Sequence, residues 1–307
     1  MSSCDHSDLR GLASVSNWRH QDMLQRQSIR NQRVFCLAVA RLAVRSLYRE
    51  LQLYPKPGLV SPIDSGSHAD MTAVTFMRSL FALRHYFIRI TDAGVNGAGF
   101  ATLRQLGIEA EQTMLRATAG VNTHRGAIFS LGLLCAATGY CRGQGTPLSA
   151  AAIRSALLRQ WGDALNGHMH GATSASHGKQ VAEHYAVSGA AEEAALGFPS
   201  LFELALPRFL KTLNTGRDYE SAAIDTLFTL MAHINDTNTY HRGGLNGAKK
   251  VKERARQFLE AGGSAANNWR EHAISCHLEF IQDKLSPGGA ADLLAATFLL
   301  HELSYLW

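Results

Sequence analysis

The chain has 307 residues, 46% of them hydrophobic and 18% charged, with 27 glycines and 7 prolines. This profile excludes a disordered tail protein, a collagen-like chain and a disulfide-stapled mini-domain, and the length can bury a core for one large domain or two ordinary ones. A net charge of +5 and a pI of about 9.0 mildly favour anionic small molecules, whereas the scatter of the basic residues argues against nucleic acid as a partner.

In chain order, residues 1–33 are polar throughout, lack the apolar core of a secretory signal and read as a loosely ordered arm. Helical spacing then begins with Leu37, Leu42, Leu47 and Leu51 and recurs in Phe76, Leu80, Leu83 and Phe87. Helices are expected at about 34–53, 68–91, 99–119, 126–141, 148–167, 177–196, 199–213, 218–236, 246–261, 265–284 and 288–305. Pro55, Pro57 and Pro62 share one loop, and Pro199 opens an apolar run. Pro147 and Pro287 follow Thr146 and Ser286 as first helical residues behind a capping hydroxyl. Pro207 interrupts an apolar run, where a kink or two short helices is expected. The most apolar stretch, 127–141, is too short for a membrane span and reads as a buried helix. Strand-like alternation is nearly absent, and no repeat or Pro/Ser-rich linker divides the chain. The reading is therefore all-α: a single multi-helix globular bundle over 34–307 with active-site loops at the helix ends. Cys4, Cys36, Cys135, Cys141 and Cys276 form no C-x-x-C pair, so neither a disulfide framework nor a zinc site is encoded, and a cytoplasmic location is expected.

Five polar loops between the apolar helices carry the chemistry, each with a plainer reading beside it. Residues 54–71, YPKPGLVSPIDSGSHADM, gather Lys56, Asp64, Ser65, Ser67, His68 and Asp70; a serine cap with Asp70 in a first helical turn accounts for part of this. Residues 120–126, GVNTHRG, place Asn122, His124 and Arg125 at the mouth of the most apolar helix, where free N–H groups and a cation make an anion site. A structural histidine is the plainer reading. His168, His170 and His177 in HMHGATSASHG have no zinc-type spacing and read as a loop, with His177 opening the next helix. Residues 235–247, NDTNTYHRGGLNG, offer Asp236 and Asn238 as oxygen ligands for Mg²⁺ and Arg242 with its glycines as a phosphate contact, or else an ordinary helix cap and turn. Residues 286–294, SPGGAADLL, start a helix with Asp292 one turn in, where a cation or a buried donor should face the carboxylate. Phosphate-loop, dinucleotide-binding, G-x-S-x-G and H-E-x-x-H motifs are absent.

In this order and at these separations, KPGLV (56–60), GSHADM (66–71), GVNTHRGAIF (120–129), SHG (176–178), EAALGFP (193–199), DTN (236–238), RGG (242–244) and SPGGAADLLA (286–295) resemble the triphosphoribosyl-dephospho-CoA synthase family, from about residue 36 to the end. The resemblance implies transfer of a triphosphoribosyl group from ATP to 3′-dephospho-CoA with release of adenine. The product would be the prosthetic-group precursor that a partner transferase mounts on the acyl carrier protein of malonate decarboxylase or citrate lyase. The stretches SPIDSGSHADM and MRSLFALRHYF look closer to the malonate decarboxylase branch.

On this resemblance Asp70, His68, His124 and Glu193 are the catalytic candidates. Lys56, Ser67, Asn122, Arg125, His177, Asn238, Arg242, Gly243, Gly244, Gly288 and Gly289 are candidates for binding substrate and phosphate. Asp70, Asp236 and Asp292 are candidates for holding Mg²⁺, which the triphosphate implies. Ser65 stands where the family commonly has Asn, Arg125 where Lys is frequent, and Ala191 where an Arg often precedes the glutamate. The rivals are an all-helical Mg²⁺-dependent N-glycoside hydrolase acting on a nucleotide, and a non-catalytic helical subunit of a decarboxylase complex.

Overall fold

The computed structural model describes the backbone of residues 7–171 and 189–306, and the side chains of residues 25, 27–167 and 189–306. His177 and most of the helix expected at 177–196 lie outside the described residues, as do the side chains of His168 and His170. Among the described residues there is no strand, and the all-α expectation holds.

The first helix, α1 (Ser7–Gln52), begins inside the segment read as an arm. Its burial starts at Phe35 and continues through Cys36, Val39, Ala40, Ala43, Leu47 and Leu51, a stripe at three- and four-residue spacing. The stripe packs on α3 (Arg84–Val95) and on the last helix, α12 (Gly288–Leu303). At the centre is α5 (Arg125–Gly143), buried along almost its whole length and flanked by α3, α6 (Ala150–Gly171) and α12. Its close approach to α3 depends on two glycines: a β-carbon on Gly94 would lie 2.0 Å from the Ala136 carbonyl oxygen, and one on Gly139 would lie 2.1 Å from that of Thr91. In the other half, α9 (Tyr219–His233) is buried from Ala222 to Ala232 and packs on α8 (Leu206–Asn214), α10 (Thr237–Glu260) and α12. Helices this apolar on every side have no solvent face, and α5, α9 and α12 are accordingly the inner layer. Helices α2 (Ala73–Ala82), α4 (Phe100–Ala117), α7 (Ala190–Ala195) and α11 (Trp269–Gln282) complete the bundle. No described helix is long and apolar enough to cross a membrane.

Two expected boundaries are corrected. The helix expected at 68–91 starts only at Ala73, because Thr72 caps it by exchanging hydrogen bonds with Thr75, and it breaks at Leu83 into α2 and α3. The helix expected at 246–261 begins instead at Thr237, where Asp236 caps it; Gly244, at φ 60° and ψ −158°, interrupts it in a conformation open essentially to glycine alone. Around Pro207 the expected discontinuity takes the form of a π-helical turn over Ser200–Ala205 that hands over to α8, with the proline in the first turn of α8.

Candidate active site

The N-termini of α5, α10 and α12 meet at one end of the bundle, beside the C-terminal end of α1 and the loop 53–72. A helix N-terminus presents unpaired N–H groups and partial positive charge. Here two of the three hold a carboxylate from another element. Asp236, the cap of α10 and buried, accepts the Asn238 main-chain N–H at 2.9 Å and side-chain amide at 3.1 Å on Oδ1, and the Ala290 N–H of α12 at 3.1 Å on Oδ2. Asp292, on α12, lies against the start of α5, where the Cα of Gly126 leaves it room: a β-carbon there would sit 2.0 Å from Oδ2. Gly289 faces Asp236 and Gly288 faces Asn238 less tightly, each with a β-carbon position 3.0 Å from the neighbouring side chain.

Lys56 is the cation of this group. It is 1% exposed, and its Nζ donates to Glu50 Oε1 at 2.5 Å and to the Glu50 carbonyl at 2.7 Å. Burial pushes the amine down and the Glu50 charge opposes that shift. Burial, then the charges of Glu50 and Asp236, push Asp292 well above the usual carboxylate range, while the Ala127 N–H works against them. Asp236 is also raised by burial, against its N–H donors. His124 is buried at the mouth of α5 with Nδ1 2.6 Å from Ser79 Oγ and its ring edge-on to Phe76. Burial first, then the Lys56 charge, hold it down to about 3, so the ring is neutral at neutral pH. Its Nε2 is buried with no protein partner, a costly state for a polar atom that a ligand would relieve.

A second group lies at the rim. Arg242 donates to His68 Nδ1 at 2.9 Å and to the Ser67 carbonyl at 3.1 Å. Because arginine only donates, His68 carries its proton on Nε2 and passes it toward Ser286 Oγ, 2.8 Å away. Burial and the Arg242 charge hold His68 down to about 4, with Asp70 opposing. Asp70 itself is 62% exposed, 3.9 Å from His68 Nδ1.

The sequence-predicted residues therefore divide. Lys56, His124 and Asp236 are buried and share one region with the half-buried Asp292, framed by Gly288 and Gly289. His68, Asp70 and Arg242 form the rim with Gly243 and the Gly244 kink, and Asn238 is exposed beside Asp236. Ser67 spends its hydroxyl on the carbonyls of Phe280 and Leu285. Asn122 caps α5 through the Arg125 N–H, and the Arg125 side chain pairs with Glu111. Glu193 accepts from the Ser200 hydroxyl at 2.5 Å and is raised by burial. The sequence reading missed Glu50, although a charge three residues after Leu47 on the buried stripe of α1 was a signal for it. It also missed His277, which is wholly buried on the α11 face of Ala273, Cys276 and Phe280.

Among the described residues no group of three His, Cys, Asp or Glu side chains is arranged to hold a metal, so Asp70, Asp236 and Asp292 are not a preformed cage. The donor set does fit a cation brought in with phosphates. Mg²⁺ needs only one or two protein carboxylates beside phosphate and water oxygens, and the mutual repulsion of Glu50, Asp236 and Asp292 is what such a cation would relieve.

Residues 36–307 match the family model described as CitG, ATP:dephospho-CoA triphosphoribosyl transferase. The chain is 39% identical over 264 residues to the probable 2-(5″-triphosphoribosyl)-3′-dephosphocoenzyme-A synthase of Acinetobacter calcoaceticus, covering 86% of this chain and 90% of that one. It is 40% identical to the correspondingly named protein of Stutzerimonas stutzeri strain A1501, covering 87% and 91%. It is 36% identical to the 2-(5″-triphosphoribosyl)-3′-dephosphocoenzyme-A synthase of Pectobacterium atrosepticum, covering 88% and 90%. No solved structure matches the chain. Two carboxylates and an enclosed lysine beside three helix N-termini thus occur in a chain that belongs to the triphosphoribosyl-dephospho-CoA synthase family.

Proposed function

We propose that the chain transfers the triphosphoribosyl group of ATP to the 2′-hydroxyl of 3′-dephospho-CoA and releases adenine. The observation that carries this reading is the convergence of three helix N-termini on a region holding Lys56, two carboxylates and an unpartnered His124 Nε2. The partial positive charge of the helix N-termini and a buried ammonium suit a polyphosphate. Carboxylates suit the positive charge that develops on ribose C1 as adenine departs. In the reaction the hydroxyl oxygen bonds to C1, the C1–N9 bond breaks, and adenine leaves with that electron pair and takes up a proton. The hydroxyl proton passes to a carboxylate and from there to the departing adenine, so that no net proton is gained or lost.

Mg²⁺ bound to the triphosphate would be held by Asp292 and Asp236 and would neutralise phosphate charge. Asp292 is the more available, because both oxygens of Asp236 are already occupied by N–H donors. His124, neutral, acts as a hydrogen-bonding group rather than as an imidazolium acid. Arg242, steadied by His68, is the rim cation for the phosphates.

The prosthetic group made from this product is assigned to malonate decarboxylase on the likeness of residues 61–71 and 77–87, with a partner transferase to mount it on the carrier protein and a cytoplasmic setting. Mass spectrometry of ATP and dephospho-CoA incubated with the protein, with and without Mg²⁺, tests the reading. The triphosphoribosyl adduct with one adenine per turnover is expected. Adenine release independent of dephospho-CoA would replace transfer with hydrolysis, and nucleotide binding without adenine release would leave a binding subunit.

A further inference from the structure

His277 is wholly enclosed on α11 and spends both ring nitrogens on the loop that carries Lys56. Its Nδ1 lies 2.8 Å from the Lys56 carbonyl oxygen and 3.2 Å from the Gly58 nitrogen. Whichever ring nitrogen carries the proton, Nδ1 therefore has a main-chain partner on the turn 56–58. Its Nε2 lies 3.0 Å from Asp64 Oδ2, and Asp64 Oδ1 accepts the Gly66 N–H at 2.8 Å. One carboxylate thus orients the ring and ties down the far half of the same loop.

The turn has no freedom to compensate. Gly58 sits at φ 68° with its Cα against the Leu285 carbonyl, where a β-carbon would lie 2.1 Å from the oxygen. The Ser67 N–H bonds the Gly58 carbonyl at 3.0 Å. Lys56 is consequently held at both ends, its main chain by His277 and its amine by Glu50. A lysine side chain has four rotatable bonds and a large rotamer entropy, so a fixed main chain is what makes a single buried amine position attainable.

We propose that His277, oriented by Asp64, is a positioning residue for Lys56: it pins the turn 56–58 so that the amine stays enclosed beside Glu50 and His124. The consequence for catalysis rests on the function proposed above, whereas the placement of the amine does not.

The test is amine acetylation of the intact protein, read by mass spectrometry at Lys56, with the exposed Lys249 and Lys284 as internal standards. It is run on the wild type, His277→Leu, His277→Gln and Asp64→Asn. In the wild type Lys56 should resist labelling while the standards react. His277→Leu should raise its rate at least tenfold with the standards unchanged, Asp64→Asn should raise it about threefold, and His277→Gln, which keeps one main-chain hydrogen bond, should restore at least half of the protection. The KM for ATP should rise in the same order, with kcat changing less. Protection of Lys56 retained in all three variants overturns the proposal, as does labelling of all three lysines rising together. Should His277→Leu fail to fold, Asp64→Asn decides alone, since Asp64 is partly exposed. A wild type that releases no adenine but shows this labelling pattern counts against the activity only.

Discussion

Gly126 and Asp292 are in contact: the Cα of Gly126 leaves room for Oδ2 of Asp292 where a β-carbon would lie 2.0 Å away. Gly126 has no left-handed backbone, so alanine is compatible with the helix and gains up to about 1 kcal/mol of propensity there. The obstacle is the end of a flexible side chain, which can rotate aside. Gly126→Ala is therefore expected to leave thermal unfolding within a few degrees of wild type while lowering adenine release about a hundredfold, because the displaced atom is the carboxylate. A variant with full activity would remove Asp292 from the chemistry.

The Glu50–Lys56 pair is enclosed on both sides, and a buried charge that loses its partner is left uncompensated. Lys56→Met and Glu50→Gln are each expected to cost about 3–5 kcal/mol, and the double variant should cost clearly less than the sum. A double-mutant cycle from denaturant unfolding measures this. Additive losses would show that the two charges do not depend on each other. All three proteins should be inactive, which separates the pair's effect on stability from the need for the amine.

His124 supplies the pH dependence. Its folded value is about 3, against an ordinary value near 6.5. Between those values the unfolded chain binds a proton that the folded one refuses, so stability rises with pH across the window and is lost as the medium is acidified. His124→Asn removes one such proton, and its unfolding free energy should fall less steeply from pH 6 to pH 4.5, by up to about 1.4 kcal/mol per pH unit. The slope should not vanish, because His68 is shifted in the same direction. Equal slopes in the two proteins would show that His124 is protonated without penalty.

The inner site was legible where a polar residue stands at the end of an all-apolar helix. His124, Asp236 and Asp292 have no cheap place to go except toward one another, and Gly288 and Gly289 start a helix too buried to begin anywhere else. Glu50 was harder to see, because periodicity puts it on the buried stripe of α1 but does not show that its partner is Lys56 in the loop beyond the helix. Asp70 shows the opposite failure. It is two residues from His68, but the chain bends at Ala69 and Asp70 and leaves the carboxylate outside while the ring points in. The start of α10 was hidden because Gly243 and Gly244 look like a loop, whereas the structure needs only one irregular residue there. Distances within a loop follow from sequence, but the direction of each side chain depends on what the loop packs against.

Asp236 and Asp292 differ in what their charges do, and a pair of conservative variants separates them. Asp236 accepts three N–H groups and joins the first turns of α10 and α12. In Asp236→Asn one oxygen becomes an amide donor, and whichever way it is turned it faces an N–H, so at least one of these bonds is lost. The loss of a cap costs about 0.5–2 kcal/mol, to which the strained contact with the other helix adds. Asp292 instead has its charge disfavoured by burial, Glu50 and Asp236, so the neutral isostere removes a penalty. Asp292→Asn is expected to unfold at the same temperature as wild type or a few degrees higher, and Asp236→Asn several degrees lower, with adenine release lost in both. Thermal unfolding beside the activity assay checks this. Destabilisation of Asp292→Asn to the level of Asp236→Asn would mean that the Asp292 charge braces the fold, as the Asp236 carboxylate does, and would take the metal-binding role from it.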